Sequence, residues 1–439
     1  MTASGSSGLD QALRKLYRRN LHAVKLGLEE TRALLEELGQ PQDAFLSIHV
    51  AGTNGKGSVC AMLASVLQAA GYRTGLYTSP HLIRFNERVR VQGEPITDVE
   101  LARQIELVED ALARRCEGGM RDATFFEFTT ALAFSHFRDQ KVQVAVIETG
   151  MGGRLDATNV LTPVLSVITP IGLDHQQYLG NTVEAIAAEK AGIIKPGRPV
   201  VCAEMDGAAR EVIRKTARAR GSPFVPVAES VQVKRVRQTL VGQRISVETP
   251  DEAIGPIILP LLGSHQLANV ATTVTALLTF RDTCSVPVAA EAIKRGLAAV
   301  PWPARLQVVE HEPPVLVDGA HNPPAAMALA RALHEVAPKQ PVGLVSSFLA
   351  DKDAMGFLRE LAGGVRKLWL VPLANERAMS MADMLTAARV AHVAAEPAPN
   401  LAAALNEAKA WAREQKGLVC VAGSLYLAGE ALQHYGLKP

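Results

Sequence analysis

Residues 51–58, Ala-Gly-Thr-Asn-Gly-Lys-Gly-Ser, have the composition of a loop that binds a polyphosphate. Glycines let backbone N–H groups converge on an anion, and the N-terminus of a following helix adds partial positive charge. The Lys56 side chain supplies a full positive charge, and the Ser58 hydroxyl can reach a Mg²⁺ ion. The residues expected to contact a nucleotide here are Thr53, Asn54, Gly55, Lys56, Gly57 and Ser58.

The spacing of this loop departs from the common G-x-x-x-x-G-K-[ST] pattern. Val50 stands where the first glycine of that pattern would be, and Gly57 separates Lys56 from Ser58. The alternative interpretation is a glycine-rich turn that binds no ligand. The position of the loop between a predicted strand and a predicted helix favours phosphate binding.

Such a loop needs a strand that leads into it and a helix that begins directly after it. Residues 45–50 are apolar, as in a buried parallel strand, and the apolar residues of 59–70 recur at helical spacing before Gly71. Further buried strands are predicted over 74–78, 144–149 and 164–169. Open α/β sheets bind their ligands where such strands end, so Glu148 is placed at the binding edge.

Two predictions concern the middle of the chain. Asn181-Thr-Val-Glu184 has the pattern of a capping box, and the helix it begins carries Lys190 and ends near residues 195–197. The stretches 231–236 and 244–247 flank a glycine and predict a hairpin at the edge of the main sheet.

Pro301 and Pro303 interrupt the chain, and the alternation of strands and helices restarts after them. Strands are predicted over 315–317, 342–345, 367–371 and 418–422, each followed by a helix. The fold class is therefore α/β. We expect a P-loop domain with a mostly parallel sheet over residues 1–300, and a smaller Rossmann-like domain over residues 301–439.

Composition excludes several classes of protein. The 439 residues include 46 Lys and Arg against 44 Asp and Glu, a net charge of +2, and no dense basic segment of the kind that binds nucleic acid. Five scattered cysteines predict neither a disulfide framework nor a zinc site. No apolar run approaches the roughly 18 residues of a membrane span. We expect a monomeric cytoplasmic protein that binds neither nucleic acid nor membranes.

Motifs along almost the whole chain resemble those of the folylpolyglutamate synthase and dihydrofolate synthase family, which belongs to the Mur ligase superfamily. The motifs that carry the resemblance are Ala51–Ser58, Tyr77–Leu82, Phe85–Arg90, Glu148–Asn159, Leu173–His175, Glu189–Ile193, Gly263–Asn269, Arg305 and Val317–Pro323. The resemblance implies a Mur-ligase-like fold. It also implies an ATP- and Mg²⁺-dependent enzyme that joins L-glutamate to dihydropteroate, to tetrahydrofolate or to both, through an acyl phosphate.

The resemblance also assigns catalytic and metal-binding residues. It implies that Ser79, Glu148 and His175 bind Mg²⁺, with two ions possible, and that Lys56 and Lys190 take part in catalysis, Lys190 as a CO₂ carbamate. Each has a simpler alternative. Ser79 is otherwise a turn hydroxyl, Glu148 a helix-capping acid, His175 a loop histidine bonded to its neighbour, and Lys190 a solvated lysine.

Substrate contacts follow from the same resemblance. It implies that the nucleotide is also bound by Asn269, Arg305 and Asp318. His321 is a further candidate because it lies in a loop directly after a predicted strand. The resemblance implies that the pterin is bound by Thr124, Phe125 and Asp156, which suits a flat ring with an amide-like edge. The alternative for residues 124–128 is a helix start with core aromatic residues. A departure from the family lies at Val24-Lys-Leu-Gly-Leu28, where relatives usually carry Ile-Asp-Leu-Gly-Leu.

Three functional hypotheses differ in substrate. The first is the folate-type ligase, and Gly153-Arg-Leu-Asp156 favours both of its activities. The second is a Mur-type ligase that adds an amino acid to a nucleotide-linked peptide, although such enzymes more often have Ser or Thr where Gly57 stands. The third, from another class, is a P-loop switch or motor, which the unusual loop spacing disfavours.

Overall fold

The computed structural model describes residues 4–19, 27–117 and 121–437. The chain forms two compact units, each made of separate segments. The first comprises the chain up to His81, Phe85–Gln232 and Ala271–Gly296, and the second Leu82–Arg84, Val233–Val270 and the chain from Leu297. The domain ranges 1–300 and 301–439 stay a prediction. Residues 24–26 of the departure from the family pattern lie outside the described residues.

Strands and helices alternate along most of the chain. In order, the strands are β1 Leu46–Ala51, β2 Thr74–Tyr77, β3 Val89–Val91, β4 Glu94–Pro95, β5 Val144–Glu148, β6 Leu165–Ile168, β7 Val200–Cys202, β8 Phe224–Pro226, β9 Gln232–Thr239, β10 Gly242–Glu248, β11 Ala253–Leu259, β12 Gln307–His311, β13 Pro314–Val317, β14 Val342–Ser346, β15 Val365–Leu370, β16 Ala395–Pro397 and β17 Leu418–Ala422. The helices are α1 Ser4–Arg18, α2 Glu29–Glu37, α3 Lys56–Ala69, α4 Asp98–Glu117, α5 Phe125–Asp139, α6 Gln176–Leu179, α7 Val183–Ala191, α8 Gly207–Ala219, α9 Ser264–Cys284, α10 Ala290–Ala298, α11 Pro323–Val336, α12 Ala354–Leu361, α13 Met381–Val390, α14 Leu401–Gln415 and α15 Leu425–His434.

The first unit is built on an eight-stranded sheet in the order β4-β3-β2-β5-β1-β6-β7-β8. Strands β2, β5, β1, β6, β7 and β8 run parallel, and β3 and β4 are antiparallel additions at one edge. Residues of β5 are buried throughout, as the continuous apolar run of a central parallel strand predicts. In the register, Val50 pairs with Glu148 and Ala51 with Ile168. The glycine-rich loop, Glu148 and the end of β6 therefore meet at one edge.

Gly52 makes the turn from β1 into the loop. Its φ is +154°, and a Cβ atom placed there would lie 1.8 Å from the Thr169 hydroxyl oxygen. Only glycine allows this close approach. Gly55, with φ +86°, precedes the first residue of α3, and Gly71, with φ +93°, follows the end of that helix as predicted.

Helix α7 differs from its prediction at both ends. The Thr182 side chain, not Asn181, caps the helix by accepting a hydrogen bond of 3.2 Å from the Ala185 backbone N–H. The helix ends at Ala191, short of residues 195–197. The following residue, Gly192, packs so closely that an added Cβ would lie 2.3 Å from the Arg154 Cβ. A side chain at position 192 would therefore collide with Arg154.

The predicted hairpin of β9 and β10 is present, but its predicted place at the edge of the main sheet is wrong. A third strand, β11, pairs antiparallel with β10, and the three strands form a separate sheet. The main sheet instead ends at β8. In β11 the side chains of Ile254, Ile257 and Leu259 are buried, and two exposed residues separate the first two. These buried side chains give the small sheet an apolar face of its own.

The second unit contains a six-stranded sheet in the order β12-β13-β17-β14-β15-β16. All neighbouring strands run parallel except the pair β12 and β13. Residues of α11, α12 and α13 share one buried apolar cluster, and residues of α14 and α15 share another. The sheet therefore has helices on both faces, which is the doubly wound arrangement that the sequence predicts.

In the six-stranded sheet and its helices, three elements are not predicted by the sequence: β12, β16 and α14. The two strands are short, and none of the three residues of β16 is fully buried, so no apolar pattern marks that strand. Helix α14 does carry a signal, because Asn400 caps it and its alanines and leucines recur on one buried face. No helix in the described residues has the length and apolar character needed to cross a membrane.

Candidate active site

The glycine-rich loop is anchored to the segment after β6. The backbone N–H groups of Thr53 and Asn54 both donate to the Pro170 carbonyl oxygen, at 3.0 and 3.3 Å. The Thr53 hydroxyl lies 3.0 Å from the Gly172 carbonyl oxygen and 3.1 Å from the Gly172 nitrogen. Thr53 therefore fixes the loop from within. The first N–H groups of α3, which begins at Lys56, have no acceptor inside the helix and suit an anion.

Lys56, Glu148 and Ser79 come together at this sheet edge. The Lys56 ammonium lies 3.9 Å from a Glu148 carboxylate oxygen and 3.3 Å from the Thr53 carbonyl oxygen. The Ser79 backbone N–H donates to the other Glu148 oxygen at 3.1 Å. Only 5% of Glu148 is exposed. It is the last residue of β5, the place at the binding edge that the sequence predicts for it.

His175 lies on a loop and precedes the short helix α6. Its φ is +51°, and 38% of its side chain is exposed. Its backbone N–H donates to an Asp174 carboxylate oxygen at 2.9 Å, and its imidazole Nε2 lies 4.0 Å from the same oxygen. Asp174 therefore holds the His175 backbone, while the 4.0 Å separation between Nε2 and this oxygen is too long for a hydrogen bond.

Lys190 is buried, contrary to the solvated alternative, with 4% of the residue exposed. Its ammonium donates to the Gly52 carbonyl oxygen at 2.7 Å, so it contacts the phosphate loop directly. Burial, and secondarily the positive charge of Lys56, lowers the pKa of Lys190 to about 7, while Asp174 and Asp156 oppose this shift. About half of the amine is then neutral near pH 7 and can act as a nucleophile.

Helix α7, which carries Lys190, is locked to the loop that follows β5. The Arg154 backbone N–H donates to the Glu189 carbonyl oxygen at 2.7 Å, and the Arg154 guanidinium pairs with the Glu189 carboxylate. The Asn159 side-chain amide donates to the carbonyl oxygens of Arg154 and Gly192. The loop over residues 149–160 is therefore held to the end of α7 by several hydrogen bonds.

Asp156 organises that loop from within. One of its oxygens accepts from the Met151 backbone N–H at 2.9 Å, and the other accepts from the backbone N–H and the hydroxyl of Thr158. The residue is 6% exposed. Burial raises the pKa of the Asp156 carboxyl, and the hydrogen bonds from Thr158 and Met151 oppose that rise.

Thr124 and Phe125 lie at the start of α5. The Thr124 hydroxyl accepts from the Glu127 backbone N–H and the Glu127 carboxylate accepts from the Thr124 backbone N–H, which completes a capping box. The Phe125 ring stacks on Tyr17 with centroids 5.6 Å apart, and the Arg88 guanidinium lies 5.2 Å from its centre. Phe125 is thus packed within an aromatic cluster of the core.

Phe126 is an aromatic residue at the sheet edge. The sequence analysis does not assign it to the site. A Cβ placed on Gly150, two residues after Glu148, would lie 2.5 Å from the tip of the Phe126 ring. The ring is half-buried, whereas Phe128 is fully buried in the core. The glycine at position 150 in the Glu-Thr-Gly motif is the sequence signal for this close approach.

In the second unit, Asp318 and Arg305 form a second cluster of predicted site residues. The two Asp318 carboxylate oxygens accept from the backbone N–H groups of Leu306 and Ala320, each at 2.7 Å. The Arg305 guanidinium donates to the Ala304 carbonyl oxygen, and a Cβ on Gly319 would lie 2.3 Å from it. Asp318 therefore joins the residue after Arg305 to the loop that follows β13.

His321 and Asn269 are held by near neighbours. The His321 Nδ1 atom lies 2.9 Å from the Gly319 carbonyl oxygen. The side-chain amide of Asn269, a buried residue in α9, donates to Gln266 at 2.9 Å. His265, which the sequence reading leaves unassigned, lies near Asp318 and Arg305. Burial lowers the pKa of His265, while the Asp318 charge opposes that shift.

Comparison with known proteins gives two family matches along the chain. The Mur ligase middle domain matches residues 50–277, and the Mur ligase glutamate ligase domain matches residues 304–425. The chain is 39% identical over 404 residues to the folylpolyglutamate synthase of Lacticaseibacillus casei, covering 91% of this chain and 92% of that protein. The chain belongs to the folylpolyglutamate synthase/dihydrofolate synthase family. Members of this family are ATP-dependent ligases.

Two further similarities place this family member among its relatives. It is 35% identical over 416 residues to the dihydrofolate synthase/folylpolyglutamate synthase of Bacillus subtilis, covering 94% of this chain and 96% of that protein. The Mycobacterium tuberculosis folylpolyglutamate synthase in complex with ADP superposes with a TM-score of 0.92 at 31% identity, covering 99% of this chain and all of that one. The whole chain therefore has the fold of this ligase family.

Proposed function

We propose that this chain is a ligase that adds L-glutamate to dihydropteroate, giving dihydrofolate, and to tetrahydrofolate, giving folylpolyglutamates. The observation that supports it most is the assembly of Lys56, Glu148 and Lys190 around one glycine-rich loop in a member of this family. A carboxylate is a poor electrophile, so amide formation requires its phosphorylation by ATP to an acyl phosphate that the amine of glutamate attacks. The protein acts as a monomer in this proposal.

Lys56 and the first turn of α3 neutralise the phosphate charge as the phosphoryl group moves to the substrate carboxylate. Ser79 and Glu148 offer hard oxygen donors that suit Mg²⁺, and His175 completes the proposed metal-binding residues. No group of three or more His, Cys, Asp or Glu side chains among the described residues is arranged to hold a metal ion, so the fit rests on Glu148 and the serine hydroxyl. When bound, Mg²⁺ supplies positive charge to the phosphate oxygens.

Lys190 is proposed to react with CO₂ and become a carbamate. Its lowered pKa provides the neutral amine that the reaction requires, and its contact with Gly52 places the product beside the phosphate loop. The amine nitrogen bonds to the CO₂ carbon and releases one proton, which leaves a carboxylate-like oxygen pair. A carbamate signal in the carbon NMR spectrum with ¹³C-labelled bicarbonate, absent in Lys190→Gln, tests this step.

The nucleotide contacts of the second unit are proposed from its arginine and acid. Arg305 suits phosphate, and Asp318 suits the ribose hydroxyls, because a carboxylate oxygen has two acceptor positions and the backbone occupies one of each pair. Asn269 and His321 complete the proposed set of nucleotide-binding residues.

For the pterin, we propose that Asp156 and the Thr124–Phe125 segment define the pocket and that Phe126 supplies its aromatic wall. Phe126 is better placed than Phe125 for this role because its ring meets the strand end at Gly150, while Phe125 is stacked in the core. Thr124 acts through the capping box that fixes the start of α5.

Release of ADP by the purified protein tests the proposal and separates the alternatives. Turnover that requires both glutamate and either dihydropteroate or tetrahydrofolate supports it. Turnover that requires a muramyl nucleotide supports a Mur-type ligase. Turnover without any acceptor, or stimulated by nucleic acid, supports a switch or motor. Activity with tetrahydrofolate alone would reduce the proposal to chain extension.

A further inference from the structure

His49 is a fully buried histidine on the central strand β1, three residues before the glycine-rich loop. Its strand neighbours in the register are Ile147 on β5 and Ser166 on β6. Its imidazole Nε2 lies 2.8 Å from the Thr158 hydroxyl oxygen, on the loop that also carries Asp156. A buried polar ring requires a hydrogen-bond partner, and Thr158 supplies it for Nε2.

The directions of these hydrogen bonds follow from the donors available. The Thr158 hydroxyl contacts both His49 and the Asp156 carboxylate. An ionised carboxylate only accepts, so Thr158 gives its single proton to Asp156 and must accept from His49. His49 therefore carries its proton on Nε2. The other ring nitrogen, Nδ1, has no hydrogen-bond partner among the described residues.

The ring stays neutral in this position. Burial, and secondarily the charge of Lys195, lowers the pKa of His49 to about 3. A neutral imidazole carries one N–H proton and can donate only one hydrogen bond. The two hydrogen bonds therefore have one direction, in which His49 donates to Thr158 and Thr158 donates to Asp156. Burial raises the pKa of Asp156, and donors in this chain favour its ionised form.

We propose that His49 is a positioning residue that, through Thr158, sets the orientation and charge of Asp156 for recognition of the pteridine ring of the substrate. The inference rests on the proposed function, in which Asp156 faces that ring. A residue that only fills the core could be replaced by an apolar side chain of similar size without changing the substrate preference. The donor at Nε2 is what distinguishes the two roles.

The experiment uses the full chain with four single substitutions. His49→Leu and Thr158→Val remove the link, while His49→Gln and Thr158→Ser retain a group that can make it. We expect the first two each to raise the KM for dihydropteroate about five- to tenfold, an effect of the size of one typical intramolecular hydrogen bond. The KM for ATP stays unchanged, and His49→Gln and Thr158→Ser recover most of the loss.

The double variant His49→Leu/Thr158→Val shows whether the two residues act through the same hydrogen bonds or independently of each other. We expect it to be no worse than either single variant, because both remove the same chain of hydrogen bonds. Additive losses, an equal rise in the KM for ATP, or no recovery in His49→Gln would overturn the inference. If His49→Leu does not fold, the comparison of Thr158→Val with Thr158→Ser decides by the same criteria.

Calorimetric binding of dihydropteroate in the presence of ADP judges the inference separately from turnover. A wild-type protein that binds dihydropteroate but releases no ADP with glutamate counts against the proposed function alone. Weaker binding in His49→Leu, restored in His49→Gln, then still supports the role of His49. A wild-type protein that does not bind dihydropteroate overturns the inference, since there is then no pteridine recognition for His49 to set.

Discussion

The Lys190 ammonium donates a hydrogen bond of 2.7 Å to the carbonyl oxygen of Gly52. This contact joins helix α7 to the entrance of the phosphate loop, and burial there lowers the pKa of Lys190 to about 7. A group that is protonated in the unfolded chain but half neutral in the folded protein makes stability depend on pH.

Lys190→Met should therefore remove activity and flatten the pH dependence of stability. The unfolded lysine binds a proton up to its ordinary pKa of 10.5, while the folded one loses it near 7, so this group makes stability rise with pH between those values. The contribution is at most about 1.4 kcal/mol per pH unit. Urea unfolding at pH 7, 8 and 9 measures it. An equal slope in the wild type and the variant would contradict the assigned shift.

Lys56→Ala should lower kcat by about 10²–10³-fold or more, because the developing phosphate charge loses its nearest cation. Binding of the pteridine should change little, since Lys56 belongs to the proposed phosphate-binding loop and not to the proposed pterin site. Lys215→Ala is the matched control, because that side chain is 76% exposed on α8. Steady-state ADP release measures both. Full turnover in Lys56→Ala would contradict a role of this lysine in catalysis.

Gly52→Ala should destabilise the protein and displace the loop. The new Cβ would lie 1.8 Å from the Thr169 hydroxyl oxygen, and the backbone φ of +154° disfavours any side chain. We expect a loss of about 2–4 kcal/mol in the free energy of unfolding. Gly71→Ala is the control, because its φ is also positive but no atom lies within 4 Å of the added Cβ. Its expected loss is about 1 kcal/mol.

Asp156→Ala should weaken the use of dihydropteroate more than the use of ATP. The carboxylate holds two segments of the loop, so a fall in the melting temperature should accompany the change. Asp156→Asn retains one acceptor oxygen and should fall between the alanine variant and the wild type. The KM values for each substrate, measured separately, decide the point. An unaltered KM for dihydropteroate in the alanine variant would exclude Asp156 from the pterin site.

Phe126→Leu should affect substrate binding, whereas Phe125→Leu should affect stability. Phe126 meets Gly150 at the sheet edge, so its loss should raise the KM for the pteridine, by an amount typical of one stacking contact, about 1 kcal/mol or fivefold. Phe125 stacks on Tyr17, so its loss should mainly lower the melting temperature. A raised KM in Phe125→Leu together with an unchanged KM in Phe126→Leu would indicate that Phe125 forms the aromatic wall of the pterin pocket.

The sequence predicts most of the parallel strands of both units, because each of those is a short apolar run that leads into a polar or glycine-rich loop. Residues 418–422 are predicted as a strand and observed as one with the same bounds. The short strand β16 is missed because no residue in it is fully buried, so there is no apolar pattern to detect. The separate sheet of β9, β10 and β11 is missed because hairpin signals do not say which sheet a strand joins.

Site residues differ in how far their sequence context reveals them. The glycines around Lys56 predict its position, because they mark a turn between a strand and the helix that begins at this residue. Burial of Lys190 cannot be inferred from its neighbour Glu189, because it depends on the packing of α7 against the loop after β5. His49 looks like an ordinary strand residue in the sequence. Only the fold brings Thr158 to its Nε2 atom.

Gly52 is held from two directions, by the close approach of Thr169 and by the hydrogen bond from Lys190 to its carbonyl oxygen. Its backbone therefore has little conformational freedom to lose when a phosphate arrives. Preorganisation of this kind lowers the entropic cost of binding, so more of the interaction energy appears as affinity. The ligand-free loop should already show slow amide hydrogen exchange at Thr53 and Asn54, whose N–H groups are bonded to Pro170.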